Sequence, residues 1–164
     1  MKLGFAPDKD GPRCRYTVDG ILVDVMPDEA AMLGFTNRWY QAAIDTAETH
    51  AVNDLILRAV SAPLFLATKL EAHHGRGAGD YLGSHDLEDV LAVIDGRPSI
   101  VADCFDAPDA VKQYLHYKFA ELLADDEFVN VIPGFVEQAH ADERATMLLA
   151  RIGDLVKTLG RKST

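Results

Sequence analysis

The stretch Cys14-Arg15-Tyr16-Thr17-Val18-Asp19-Gly20-Ile21-Leu22-Val23-Asp24-Val25-Met26 decides the fold class. An Asp-Gly dipeptide between two runs of aliphatic and β-branched residues is the strongest short-range hairpin signal, because a two-residue turn needs residues that tolerate positive φ. The expectation is a hairpin whose second strand ends at Pro27. That second strand is nearly all apolar, which predicts cover on both faces. Asp24 in its middle is then costly unless its carboxylate has a partner.

Upstream, Asp8-Lys9-Asp10 has the D-x-D spacing of two carboxylates on one side of a strand. Pro7 and Gly11-Pro12 flank it with no apolar residue beside the acids, so it reads as a turn. Downstream, the pattern predicts a loop over 27–37, a short helix over 38–48 and a third strand over 55–60. From Ser61 onward the apolar spacing is helical. One helix begins near Pro63, a residue well suited to a first turn. It stops in a glycine-rich loop over 75–83. Ser84 offers the N-cap of the next helix, with Asp86, Glu88 and Asp89 early in it and Leu87, Val90, Leu91 and Ile94 as its apolar stripe. Asp95-Gly96-Arg97-Pro98 stops that helix. Further helices are expected over 98–104, 108–124, 125–131 and 141–159. The last has Leu148, Ile152, Leu155 and Leu159, with Met147, Leu149 and Val156, on its apolar face. The fold class is therefore α+β (α/β): a small mixed sheet with a hairpin over 1–60, followed by a C-terminal helical bundle over 61–164, the two packed as one domain.

Composition bounds the function. The 164 residues are 48% hydrophobic and 26% charged, as in ordinary globular chains. With 16 basic against 26 acidic residues the net charge is −10. Broad DNA binding is not expected, because neutralising phosphates needs clustered Lys and Arg; a small basic pocket is compatible with the charge. Cys14 and Cys104 lie far apart and form no metal-ligand pair; two free buried thiols in a reducing compartment is the plainer reading, a single disulfide the other. The first residues carry no signal-peptide apolar region, and no apolar run approaches the ~18 residues of a membrane span. A cytoplasmic protein without a membrane partner is expected.

Four features could carry chemistry. Asp24 either pairs with a basic residue or serves as a metal ligand or general base at a sheet edge. Lys69, on the helix beginning near Pro63, either lays its stem along apolar surface or aims a point charge at a phosphate. Asp86 and Asp89, three apart on one helical face, either compensate the helix dipole or orient Lys69 and contact a nucleotide. The glycine-rich loop lacks the spacing of phosphate-binding loops and reads as a connector, though Arg76 within it could reach a substrate phosphate. His73, His74 and His85 have no zinc-site spacing, and no serine sits in a G-x-S-x-G elbow.

The segments VDVMP (23–27), LGFTNRWY (33–40), FLATKLEA (65–72) and GDYLGSHDLED (79–89) resemble bacterial nucleotidyltransferase-like proteins, in particular relatives of the abortive-infection (AbiE-type) toxin nucleotidyltransferases of toxin–antitoxin systems. The resemblance is strongest from about 14 to 100. It implies a nucleotidyltransferase-like fold in which carboxylates on a sheet hold Mg²⁺ and orient a nucleoside triphosphate for in-line attack. Asp24 then matches a metal carboxylate. Lys69 and Asp86 match the helix-borne basic and acidic positions that serve catalysis, and Lys69, Arg76, Asp86 and Asp89 would line the nucleotide pocket. The acceptor would be an RNA or a protein.

Only 23 residues precede Asp24. The family's N-terminal Gly-Ser turn, its helix and its Asp-x-Asp strand do not fit there, so two of three metal carboxylates are missing. Three explanations stay open: a natural start further upstream, a relative that binds without catalysing, or a second chain that completes the sheet. The expected function is Mg²⁺-dependent nucleotidyl transfer if the site is complete, and otherwise none by this chain alone. The rival expectation is a non-catalytic interaction module or homodimer that pairs through an exposed sheet edge.

Overall fold

A computed structural model of the chain describes residues 4–25, 37–76, 79–136 and 138–161. Most of the loop expected over 27–37, and the 26–36 part of the family-like segments, lie outside the described residues. So do residues 77 and 78 of the glycine-rich loop.

The hairpin forms as the Asp-Gly signal requires. Strands β2 (Arg15–Val18) and β3 (Ile21–Asp24) pair antiparallel, and β1 (Ala6–Pro7) adds to the other edge of β2. Asp19 and Gly20 take φ of 49° and 80°, the left-handed pair of a tight hairpin turn. The Asp8-Lys9-Asp10 turn is closed by the Asp10 amide donating to Asp8 Oδ1.

The sheet expectation needs correction. The short helix α1 (Tyr40–Asp45) ends three residues early, and Glu48–Val52 forms a strand, β4, that pairs antiparallel with β5 (Leu55–Ala59). The physical reason lies in the periodicity. The helical spacing of Trp39, Ala42 and Ala43 runs on to Ala47, but the Asn53-Asp54 turn, with Asn53 at φ 53°, folds the next run back and draws Glu48–Val52 into a strand. Instead of one mixed sheet, the described residues form two separate antiparallel sheets, β1-β2-β3 and β4-β5. The expected cover of β3 is also absent among the described residues: Ile21, Leu22 and Val25 are exposed.

The helices follow their patterns closely. They are α2 (Ala62–Arg76), α3 (His85–Gly96), α4 (Ile100–Phe105), α5 (Asp109–Leu123), α6 (Asp126–Val131) and α7 (Ala141–Leu159). The expected apolar stripes of α3 and α7 are buried, save that Met147 is exposed and Leu149 and Val156 are half-buried. Ser84 caps α3, its Oγ accepting from the Leu87 amide. Among the described residues the buried hydrophobic core runs from Leu64 to Leu159, Trp39, Ala42, Ala43 and Ala62 pack against it from earlier in the chain, and buried Asn37 donates to the Thr68 carbonyl. Cys14 is a half-buried free thiol. Cys104 is a free thiol inside the core, where burial pushes its pKa up to about 12. No helix among the described residues is long and apolar enough to cross a membrane.

This division of the core predicts a division of stability. Ile152 is fully buried on α7. Ile152→Ala is expected to cost about 2–5 kcal/mol in denaturant unfolding. Leu22→Ala, on the exposed β3, is expected to move the same transition by less than about 0.5 kcal/mol.

Candidate functional site

Asp24 is placed by register. Around a two-residue turn at 19–20, Arg15 stands opposite Asp24. Arg15 Nε donates to Asp24 Oδ1 at 2.8 Å and Nη2 to Oδ2 at 2.9 Å, a two-pronged pair. The side chains are 34% and 40% exposed. The hydrogen bonds from Arg15 hold the Asp24 carboxyl below its ordinary range. Asp24 is therefore not the buried strand acid that the apolar run suggested, and its partner is cross-strand.

The structure brings Lys69, Asp86 and Asp89 together across α2 and α3. Lys69 Nζ lies 3.2 Å from Asp86 Oδ1 and 2.6 Å from Asp89 Oδ2. Partial burial pulls the Lys69 pKa down, but the hydrogen bonds to Asp89 and Asp86 outweigh it and leave the ammonium held above the ordinary lysine value. Lys69 also sits 5.8 Å from the centre of the Phe65 ring one turn away. The arrangement is one cation between two carboxylates. Two of the three ammonium hydrogens are spoken for by these carboxylates.

One turn beyond Lys69, on the same face, His73 Nδ1 lies 2.7 Å from Ser84 Oγ. A serine and a histidine in contact are a nucleophile–base geometry. Both are closed off, at 7% and 8% exposure, and Ser84 Oγ is already the cap of α3. Desolvation lowers the His73 pKa below 6.5, with His74 and Lys118 adding to the effect and Asp86 opposing it. His73 stacks on Tyr81, whose hydroxyl donates to Asp125 at 2.5 Å. Burial and that bond push the Tyr81 phenol up to about 12. Alongside lies a cavity of about 250 Å³ between α2, α5 and the α2–α3 connection. Lys118 stands at it, donating to Glu121 and contacting His74.

Sequence reasoning singled out Lys69, Asp86 and Asp89, and the structure assembles them. Asp24 stands apart from that cluster, bonded to Arg15. Arg76 closes α2, and its side chain lies outside the described residues. Tyr81, Asp125 and Lys118 were missed; Asp125 was findable as the acid capping α6, where it accepts from the Glu127 amide.

Among the described residues the carboxylates that the resemblance assigns to the magnesium and nucleotide site are engaged with basic side chains. Both oxygens of Asp24 face the Arg15 guanidinium, and Asp86 and Asp89 share Lys69. Among the described residues no group of three His, Cys, Asp or Glu side chains is placed to hold a metal ion. Compared with known proteins, the chain matches no family model, no curated protein and no solved structure.

The buried His73 gives a pH signature. Its folded pKa lies below 6.5, so the unfolded chain binds the extra proton first on acidification. The stability it contributes is complete above pH 6.5 and declines as pH falls from there through the depressed folded value. Thermal melts across that window should show the decline in the wild type and a flatter profile in His73→Asn.

Proposed function

We propose that the chain is an interaction module, a helical body presenting the β4–β5 hairpin for strand addition, with a second copy of itself as partner. The observation that carries this reading is the exposure of every residue of both strands, including Leu55 at 64%, Ile56 at 77% and Leu57 at 47%. An isolated two-stranded hairpin is marginal in water. Fully burying an aliphatic side chain stabilises by about 1.5–3 kcal/mol, so this hairpin gains from a covering partner. β5 also matches itself. In a two-fold antiparallel pair centred on Leu57, Leu57 faces its own copy and Leu55 faces Ala59. Leu55, Leu57 and Ala59 lie on one face, which makes an apolar stripe across a four-stranded sheet. Arg58 steadies the strand by donating to the Ile44 carbonyl at 2.8 Å.

Sedimentation equilibrium tests it. The wild type should be dimeric at micromolar concentration. Leu57→Glu should be monomeric with an unchanged helical melt, because Leu57 lies outside the core. A wild type that stays monomeric at near-millimolar concentration overturns the reading.

A second reading, nucleotide binding as in nucleotidyltransferases, is favoured by one observation: Lys69, Asp86 and Asp89 converge as the resemblance implies. Calorimetric titration with each nucleoside triphosphate, with and without Mg²⁺, separates the two. The interaction module gives no saturable heat at millimolar nucleotide. Binding that Lys69→Ala abolishes, in a protein whose oligomeric state Leu57→Glu does not change, would favour the second reading over the first.

A further inference from the structure

A different cavity, of about 450 Å³, lies between the first half of α5 and the C-terminal end of α7. Phe105 and Leu159 give it apolar wall, and Lys112, His116 and Arg161 bring three basic side chains to it. The single acid in its lining is Asp109, whose carboxylate is 79% exposed and 2.8 Å from Lys112 Nζ. That balance runs against the chain, which has 26 acids and 16 Lys and Arg. The other basic groups described at helix seams are matched: Lys69 by Asp86 and Asp89, Arg97 by Asp103, Arg144 by Asp95. The Arg161 guanidinium has no hydrogen-bond or ion-pair partner among the described residues.

The C-terminal end of a helix ordinarily repels anions through its free carbonyls. Here two of them are engaged. His116 Nδ1 is 3.0 Å from the Val156 carbonyl, and the Arg161 amide donates to the Thr158 carbonyl. A carbonyl can only accept, so Nδ1 carries the hydrogen, and Nε2 donates to a bound phosphate in the doubly protonated imidazolium, the form a neighbouring anion favours. Gly160 makes this seating achievable: a Cβ there would lie 2.7 Å from His116 Cε1.

We propose that this cavity binds a small organic phosphate monoester, the phosphate on Lys112, His116 and Arg161 and the organic group against Phe105 and Leu159. Donors from α5 and from Arg161, just beyond the end of α7, suit a tetrahedral oxyanion better than a planar carboxylate. A half-open cleft of this volume suits a small molecule.

The test is a heteronuclear NMR titration of the full chain with phenyl phosphate, with inorganic phosphate and benzyl alcohol as separate arms. Phenyl phosphate should shift Lys112, His116 and Gly160 saturably and bind more tightly than either arm alone. Arg161→Ala, an exposed change outside the core, should weaken it about tenfold with an unchanged melt. Lys112→Ala should do likewise. Absence of shifts at these residues at millimolar probe overturns the proposal, as does equal affinity in Arg161→Ala. Equal binding of benzyl alcohol overturns the phosphate assignment.

Discussion

The packing of α5 against α7 is the constraint on which the rest depends. Val111, Leu115, Phe119 and Leu122 on one helix, and Leu148, Ile152, Leu155 and Leu159 on the other, are all buried in one apolar cluster. Burial on that scale fixes where the neighbouring helices can lie. α2 packs against α3 and α5, and α4, α3 and the 3-10 turn Ile132–Phe135 pack against α7. The polar groups are then sorted by geometry. Those facing the α2–α3 seam must find partners there, which is why Lys69, His73, Ser84 and Asp86 are bonded side by side. A seam so bonded locks two helices together.

The same packing explains the asymmetry between the two portions of the chain. A helical cluster complete in itself has no surface that needs a sheet. The two antiparallel sheets therefore keep aliphatic residues in water, and the molecule combines a self-sufficient body with strands that are not. The charge of −10 keeps such bodies apart at long range, while a strand-to-strand pairing acts only at contact. The association proposed for the hairpin would require a partner whose backbone can meet it in register.

The helices were legible because their signals are local. Period, cap and stop coincide: Ser84 before Leu87, Val90, Leu91 and Ile94, then Gly96. The sheet was less legible because its evidence is relational. Asp24 inside an apolar run suggests burial only if the strand is assumed covered. The turn at 19–20 fixes which residue stands opposite, and that residue is Arg15, so the partner was within reach of arithmetic. β4 was hidden because Ala42, Ala43 and Ala47 extend a helical spacing past Asp45, and only the turn at 53–54 reveals where the chain reverses. Lys69 with Asp86 and Asp89 was visible as acids and base on adjoining helices. The sequence did not say whether the acids would leave the ammonium available. Tyr81 with Asp125, 44 positions apart, is a purely tertiary contact.

Cys104 turns the core into its own clock. Its thiol is fully buried, burial pushes its pKa up to about 12, and only a thiolate attacks thiol reagents readily. Cys14, half-buried on the approach to β2, stands outside that cluster. A reagent meeting the folded chain therefore finds one cysteine at once and the second only when the helices part. The interval between the two modifications measures how often the body opens, with no label or substitution added to the protein.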